Sequence, residues 1–86
     1  MNSGIIWSSI VVEEFLSLAN LTPDEKTVFR DRVKGKSRVW ISMERGYSLS
    51  TVDRIIKRLK LKYDAVQPYT PILPRRIGST VPEFFP

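Results

Sequence analysis

The sequence predicts an all-α fold: a small four-helix domain containing a helix-turn-helix, with an extended Pro-rich C-terminal tail. Three observations predict it. Val52, Ile55, Ile56, Leu59, Tyr63 and Val66 recur at three- and four-residue spacing, which gathers them on one face of a long helix. Thr22-Pro23-Asp24-Glu25 has the form of a capping box with proline at the first helical position. Five of the six prolines fall within residues 68–86, where helix cannot continue. The helical domain is therefore expected over residues 1–67 and the apolar tail over 68–86.

The first helix is the least sharply written. Ile5, Ile6, Ile10, Val11 and Val12 are β-branched and favour strand. Trp7, Val11, Phe15 and Leu18 nevertheless follow the helical period, and Val12, Leu16 and Ala19 widen the stripe. With no second strand to pair against, a helix is expected from about Ile5 or Ser9 to Ala19. Asn20, which tolerates the left-handed conformation, would end it.

The second helix is expected over residues 23–34. Thr22 caps the amide of Glu25, Glu25 reaches back to the amide of Thr22, and Asp24 and Glu25 complement the positive helix end. Val28, Phe29 and Val33 should point inward, with Gly35 taking the left-handed position that closes the helix.

Ser37 opens a short helix over residues 38–45. Ile41, Ser42 and Arg45 lie on the side a helix-turn-helix core would use. Val39, Trp40 and Met43 lie largely on the other, so something must cover them. Trp7 with the first helix, the tail, or a second protein are the candidates, and cover from within the chain is expected. Gly46 supplies the positive φ that ends this helix, and Ser48 caps the next, expected over residues 49–66 and stopped by Pro68.

The tail (PYTPILPRRIGSTVPEFFP) favours extended chain. Tyr69, Ile72, Leu73, Ile77, Val81, Phe84 and Phe85 make it too apolar for a solvated linker. It either folds back over the helices or docks on another protein.

Composition narrows the function. Cysteine and histidine are both absent, which removes disulfides, thiolate chemistry, the commonest metal ligand and the commonest general base. No enzyme, metal or cofactor is expected. No apolar run approaches the ~20 residues needed to cross a bilayer, and the N-terminal stretch lacks the basic region of a signal peptide, so a cytoplasmic location is expected. The formal charge is +5, and it is unevenly placed: residues 35–67 hold eight basic and three acidic groups, residues 1–34 four and five. The positive excess falls on the helix-turn-helix, where a polyanion binder needs it.

The segment LTPDEKTVFRDRVKGKSRVWISMERGYSLSTVDRIIKRLKLKY resembles the helix-turn-helix of LuxR/GerE-type regulators and of the fourth conserved region of sigma factors. Leu21, Thr22 and Glu25 match the opening of that pattern, Gly35 and Ser37 its link. Ile41, Ser42, Gly46, Ser48, Thr51 and Val52 match the two motif helices and their turn. Arg45 departs from it, standing where the pattern has a buried Leu, so Tyr47 or Met43 should rebuild that core position. No counterpart exists for the fourth helix through which LuxR-type domains dimerise, and the additional N-terminal helix makes the arrangement more like sigma region four. The resemblance implies a stand-alone domain that binds double-stranded DNA in transcription regulation, as minimal regulators of phages and mobile elements do.

A helix-turn-helix reader places the first turns of its second helix in the major groove. Ser50, Asp53, Arg54 and Lys57 are expected to meet base edges, and Lys36, Arg38, Thr51, Arg58 and Lys62 to contact phosphates. The alternative is a protein-interaction module, an RNA polymerase adaptor or phage assembly component, using Val39, Trp40, Met43, Phe84 and Phe85 as its partner face. The expected partners are thus duplex DNA and, through the tail, RNA polymerase or another protein, with a homodimer as a further option and no membrane.

Overall fold

The computed structural model describes residues 7–74. Within them the chain forms four α-helices: α1 (Ser9–Leu18), α2 (Pro23–Val33), α3 (Arg38–Arg45) and α4 (Leu49–Val66). A 3-10 turn, Gln67–Tyr69, follows α4, and there is no strand among the described residues. Ile5, Ile6 and the tail beyond Pro74 lie outside the described residues, Phe84 and Phe85 among them.

Each helix begins on a hydroxyl cap. Ser8, Thr22, Ser37 and Ser48 accept from the amides of Val11, Glu25, Trp40 and Thr51 respectively. At α2 the box is complete, with the Thr22 amide donating to Glu25 Oε1 at 3.0 Å and the Glu25 amide donating to Thr22 Oγ1 at 3.2 Å. The ends differ. After α2, Gly35 at φ 88° lets its own amide reach the Arg32 carbonyl and the Lys36 amide reach the Asp31 carbonyl, the paired bonds of a Schellman closure. Gly46 at φ 75° ends α3 and leaves only Tyr47 between it and the next cap.

Asn20 does not end α1 in the left-handed conformation. The helix stops at Leu18 with Ala19 extended, and among the described residues only glycines have a positive φ. The extended exit carries the chain straight into the Thr22 cap and buries Ala19 and Leu21. Leu18, expected inward, is 43% exposed, because the buried face of α1 centres on Phe15.

The core is built around α4, which packs against α1, α2 and α3. Its stripe of Val52, Ile55, Ile56, Leu59 and Tyr63 is buried, together with Phe15, Val28, Phe29 and Ile41. Trp7 closes this core rather than stacking on α3: its ring centroid lies 4.9 Å from Phe29, 5.7 Å from Tyr63 and 5.9 Å from Phe15. Residues 70–74 fold back on the α1–α4 side. Leu73 is buried, Thr70 Oγ1 donates to Glu14 at 2.6 Å, Gln67 donates to the Leu73 carbonyl, and Tyr63 donates its hydroxyl to the Pro74 carbonyl. This part of the tail thus covers Tyr63, not Trp40 or Met43.

Candidate nucleic-acid interface

At 100° per residue, Ser50, Arg54, Lys57 and Leu61 fall within about 60° of one another on α4, opposite the buried stripe. All four are exposed. Among the described residues, Arg54 and Lys57 have no ion-pair partner, so this ridge presents unneutralised cations to solvent. Three of the four residues expected at base edges, Ser50, Arg54 and Lys57, therefore share one outward face. Ser50 Oγ also lies 3.2 Å from the cap hydroxyl of Ser48.

The fourth, Asp53, flanks the ridge on the α3 side. Its Oδ1 accepts from Arg38 Nη1 at 2.5 Å, with the two side chains about equally exposed. Two residues expected to contact DNA separately are thus joined to each other, across the turn between α3 and α4. Thr51 is drawn inward: it is half-buried, and its amide and Oγ1 both bond to Ser48 Oγ, at 3.2 and 2.8 Å. Its role in the structure is to complete the cap of α4.

Lys62, expected at a phosphate, is engaged within the fold. Its ammonium donates to Glu25 Oε1 at 2.6 Å and to the Asn20 carbonyl at 2.7 Å. It stands on the α2 side of α4, turned well away from Arg54, because Glu25 is 2% exposed and needs a cation. Burial pushes the Glu25 carboxyl up, but bonds from Lys62 and the Thr22 amide, with the charges of Lys62 and Arg58, outweigh it. The net result lies below the ordinary carboxylate value.

Arg45 is settled by a second internal pair. Its Nε and Nη2 each donate to the buried Asp31 carboxylate at 2.9 Å. The hydrogen bond and then the charge of Asp31 raise the guanidinium pKa. Where the resembled pattern has Leu, this chain thus has an arginine answered by an acid on α2. Tyr47 supplies apolar packing there, half-buried against the core, with Ser42 Oγ donating to its carbonyl at 2.6 Å. Its hydroxyl donates to Asp24 at 2.8 Å, a bond that raises the phenol's pKa. Met43, the other residue expected to rebuild that position, is 78% exposed.

The α3 face is only partly covered. Trp40 is half-buried, with Lys36 Nζ 4.8 Å and the Arg45 guanidinium carbon 5.9 Å from its ring centroid. Lys36 is therefore an exposed cation held over an aromatic ring. Val39 and Met43, one helical turn apart, stay exposed, so the described chain does not provide the expected cover.

Four long-range contacts left no sign that was read from the sequence: Glu25–Lys62, Asp31–Arg45, Asp24–Tyr47 and Arg38–Asp53. The first had a signal, since Lys62 sits beside Tyr63 and three residues after Leu59, at the margin of the buried stripe. A further basic row, Lys26, Arg30 and Lys34, runs along the solvent side of α2, away from Val28 and Phe29. Among the described residues no helix is long and apolar enough to cross a membrane. No family, curated protein or solved structure matches this chain.

Proposed function

We propose that this protein is a sequence-specific double-stranded DNA-binding protein acting in transcription regulation, with α3 and α4 as a helix-turn-helix of the kind resembled by LuxR/GerE-type regulators and sigma region four. One observation supports it above the others: α4 combines a fully apolar inner stripe with an outer ridge whose cations have no partner among the described residues, while the buried acids Glu25 and Asp31 are answered by internal bases. Two exposed acids lie beside the ridge: Asp53, which is held by Arg38, and Asp64, seven residues after Lys57 and about 20° from it around the helix.

In this reading the first two turns of α4 enter the major groove. Ser50, Arg54 and Lys57 meet base edges, with Arg54 presenting its planar fork to guanine O6 and N7. Lys36, Arg38 and Arg58 flank the groove and neutralise phosphates. Lys62 and Thr51 serve the fold instead. Selection from a random duplex pool at about 0.15 M salt, followed by sequencing, tests this directly. An enriched motif supports the reading; a pool recovered unchanged contradicts it.

A second reading rests on Val39 and Met43, which are 54% and 78% exposed at one-turn spacing on α3. Such a pair is the start of a protein contact, and an adaptor that docks through α3 would use it. The two readings are compatible, since this pair and the α4 ridge lie on different helices.

A further inference from the structure

We propose that Asp53 makes no contact with DNA of its own but is a positioning residue, holding the Arg38 guanidinium so that a preformed pair grips the duplex backbone. The inference rests on the DNA-binding reading and changes what two of its residues do.

An acid at this place needs an explanation. Asp53 lies in the second turn of α4, next to Arg54 and at the edge of the outward ridge. A carboxylate there repels the phosphates that Arg54 and Lys57 attract. A purely structural account is weak, because the two side chains are 48% and 47% exposed and surface ion pairs contribute little stability. The geometry suggests another use. Oδ1 engages a single guanidinium nitrogen, Nη1, and among the described residues the remaining donors of Arg38 have no hydrogen-bond partner. A free arginine loses rotamer freedom when it meets a phosphate. An arginine already braced from α4 loses less, and its fork is aimed before the ligand arrives. Arg38 also opens α3, directly after the Ser37 cap, where the helix end adds its own positive potential.

The two accounts of Asp53 predict opposite signs. If the carboxylate acts only through its charge, removing it tightens binding to every duplex and steepens the salt dependence. If it positions Arg38, removing it weakens binding although a negative charge has gone.

The test measures duplex affinity by fluorescence anisotropy over a salt series, for the full chain and for Asp53→Ala, Arg38→Ala and the double variant. A 20-base-pair duplex recovered from the random pool, or a random-sequence duplex at low salt if the pool yields no motif, is the probe. Asp53→Ala is expected to weaken binding on the order of three- to tenfold, and the double variant to bind no worse than Arg38→Ala, the non-additivity of a coupled pair. The log–log salt slope of Asp53→Ala should flatten toward that of Arg38→Ala, by up to about 0.9. Thermal melts should be unchanged, which separates positioning from a folding defect. Unchanged or tighter binding by Asp53→Ala, beside a wild type that binds, overturns this proposal alone. A wild type that binds no duplex at low salt overturns the DNA-binding reading and this proposal together.

Discussion

Lys62 Nζ lies 2.6 Å from Oε1 of Glu25, so a lysine of the long basic helix braces the glutamate of the capping box that begins α2. The carboxylate oxygen accepts both from that ammonium and from the Thr22 amide, and the residue is almost wholly buried. Removing Lys62 leaves a buried carboxylate with one hydrogen bond. Lys62→Ala is therefore expected to destabilise the fold by about 2 kcal/mol, less than a fully buried pair because the lysine is partly exposed. Denaturant unfolding measures it. A change below about 0.5 kcal/mol, the scale of an ordinary surface substitution, would contradict this account.

The same pair sets an acid dependence. The folded-state pKa of Glu25 is lowered, so its contribution is fully present above the ordinary carboxylate value of 4.5 and is lost as pH falls through the lower folded value. Wild-type melting temperature should therefore drop below about pH 4.5. Glu25→Gln should melt lower than wild type at pH 6, with the gap closing as the pH falls through that window. A constant gap would show that the carboxylate's charge contributes nothing.

Arg45 and Asp31 give a coupled prediction. Arg45→Leu restores the residue type of the resembled pattern but strands the Asp31 carboxylate, which is 3% exposed. The single change should cost stability, read as a lower urea midpoint of unfolding. Adding Asp31→Leu should recover most of it, since apolar residues of similar volume often replace a buried pair at no cost. Additive losses in urea unfolding would mean that the bidentate contact is not what fixes α3 on α2.

Leu73 tests the fold-back of the chain after α4. Its side chain is 1% exposed although it lies beyond the last helix. Leu73→Ala should cost about 2–3 kcal/mol, a normal loss for a buried leucine, and lower the melt by roughly 10 °C. A melt within a degree of wild type would mean that residues 70–74 do not pack as described.

What could be read from the sequence was what is local. The limits of α3 and α4 follow from Ser37, Gly46 and Ser48, because a cap is a bond between neighbours and leaves its signature in consecutive residues. The inner stripe of α4 was equally plain. The ion pairs were not, since their partners stand 14, 15 and 37 residues apart and nothing local marks them. Lys62 is set apart from Arg58 by its angle around the helix, which brings it to Glu25 once α2 is in place beside it. Asn20 shows the converse, a residue able to take the left-handed turn whose backbone is instead drawn extended into the Thr22 cap. The α4 ridge was legible in its types and spacing, whereas the pairing of Asp53 with Arg38 required the fold.

The central claim is that the outer ridge of α4 reads duplex DNA, and Arg54 carries it most directly. The decisive measurement is the affinity of wild type and Arg54→Ala for the selected site and for each of its single-base-pair variants, at one fixed salt concentration. Wild type should discriminate at one G·C pair by about 1–3 kcal/mol, and Arg54→Ala should lose that discrimination while keeping its preferences elsewhere and its melt. If Arg54→Ala ranks every variant as wild type does, Arg54 does not read a base and the proposed register of α4 in the groove is wrong.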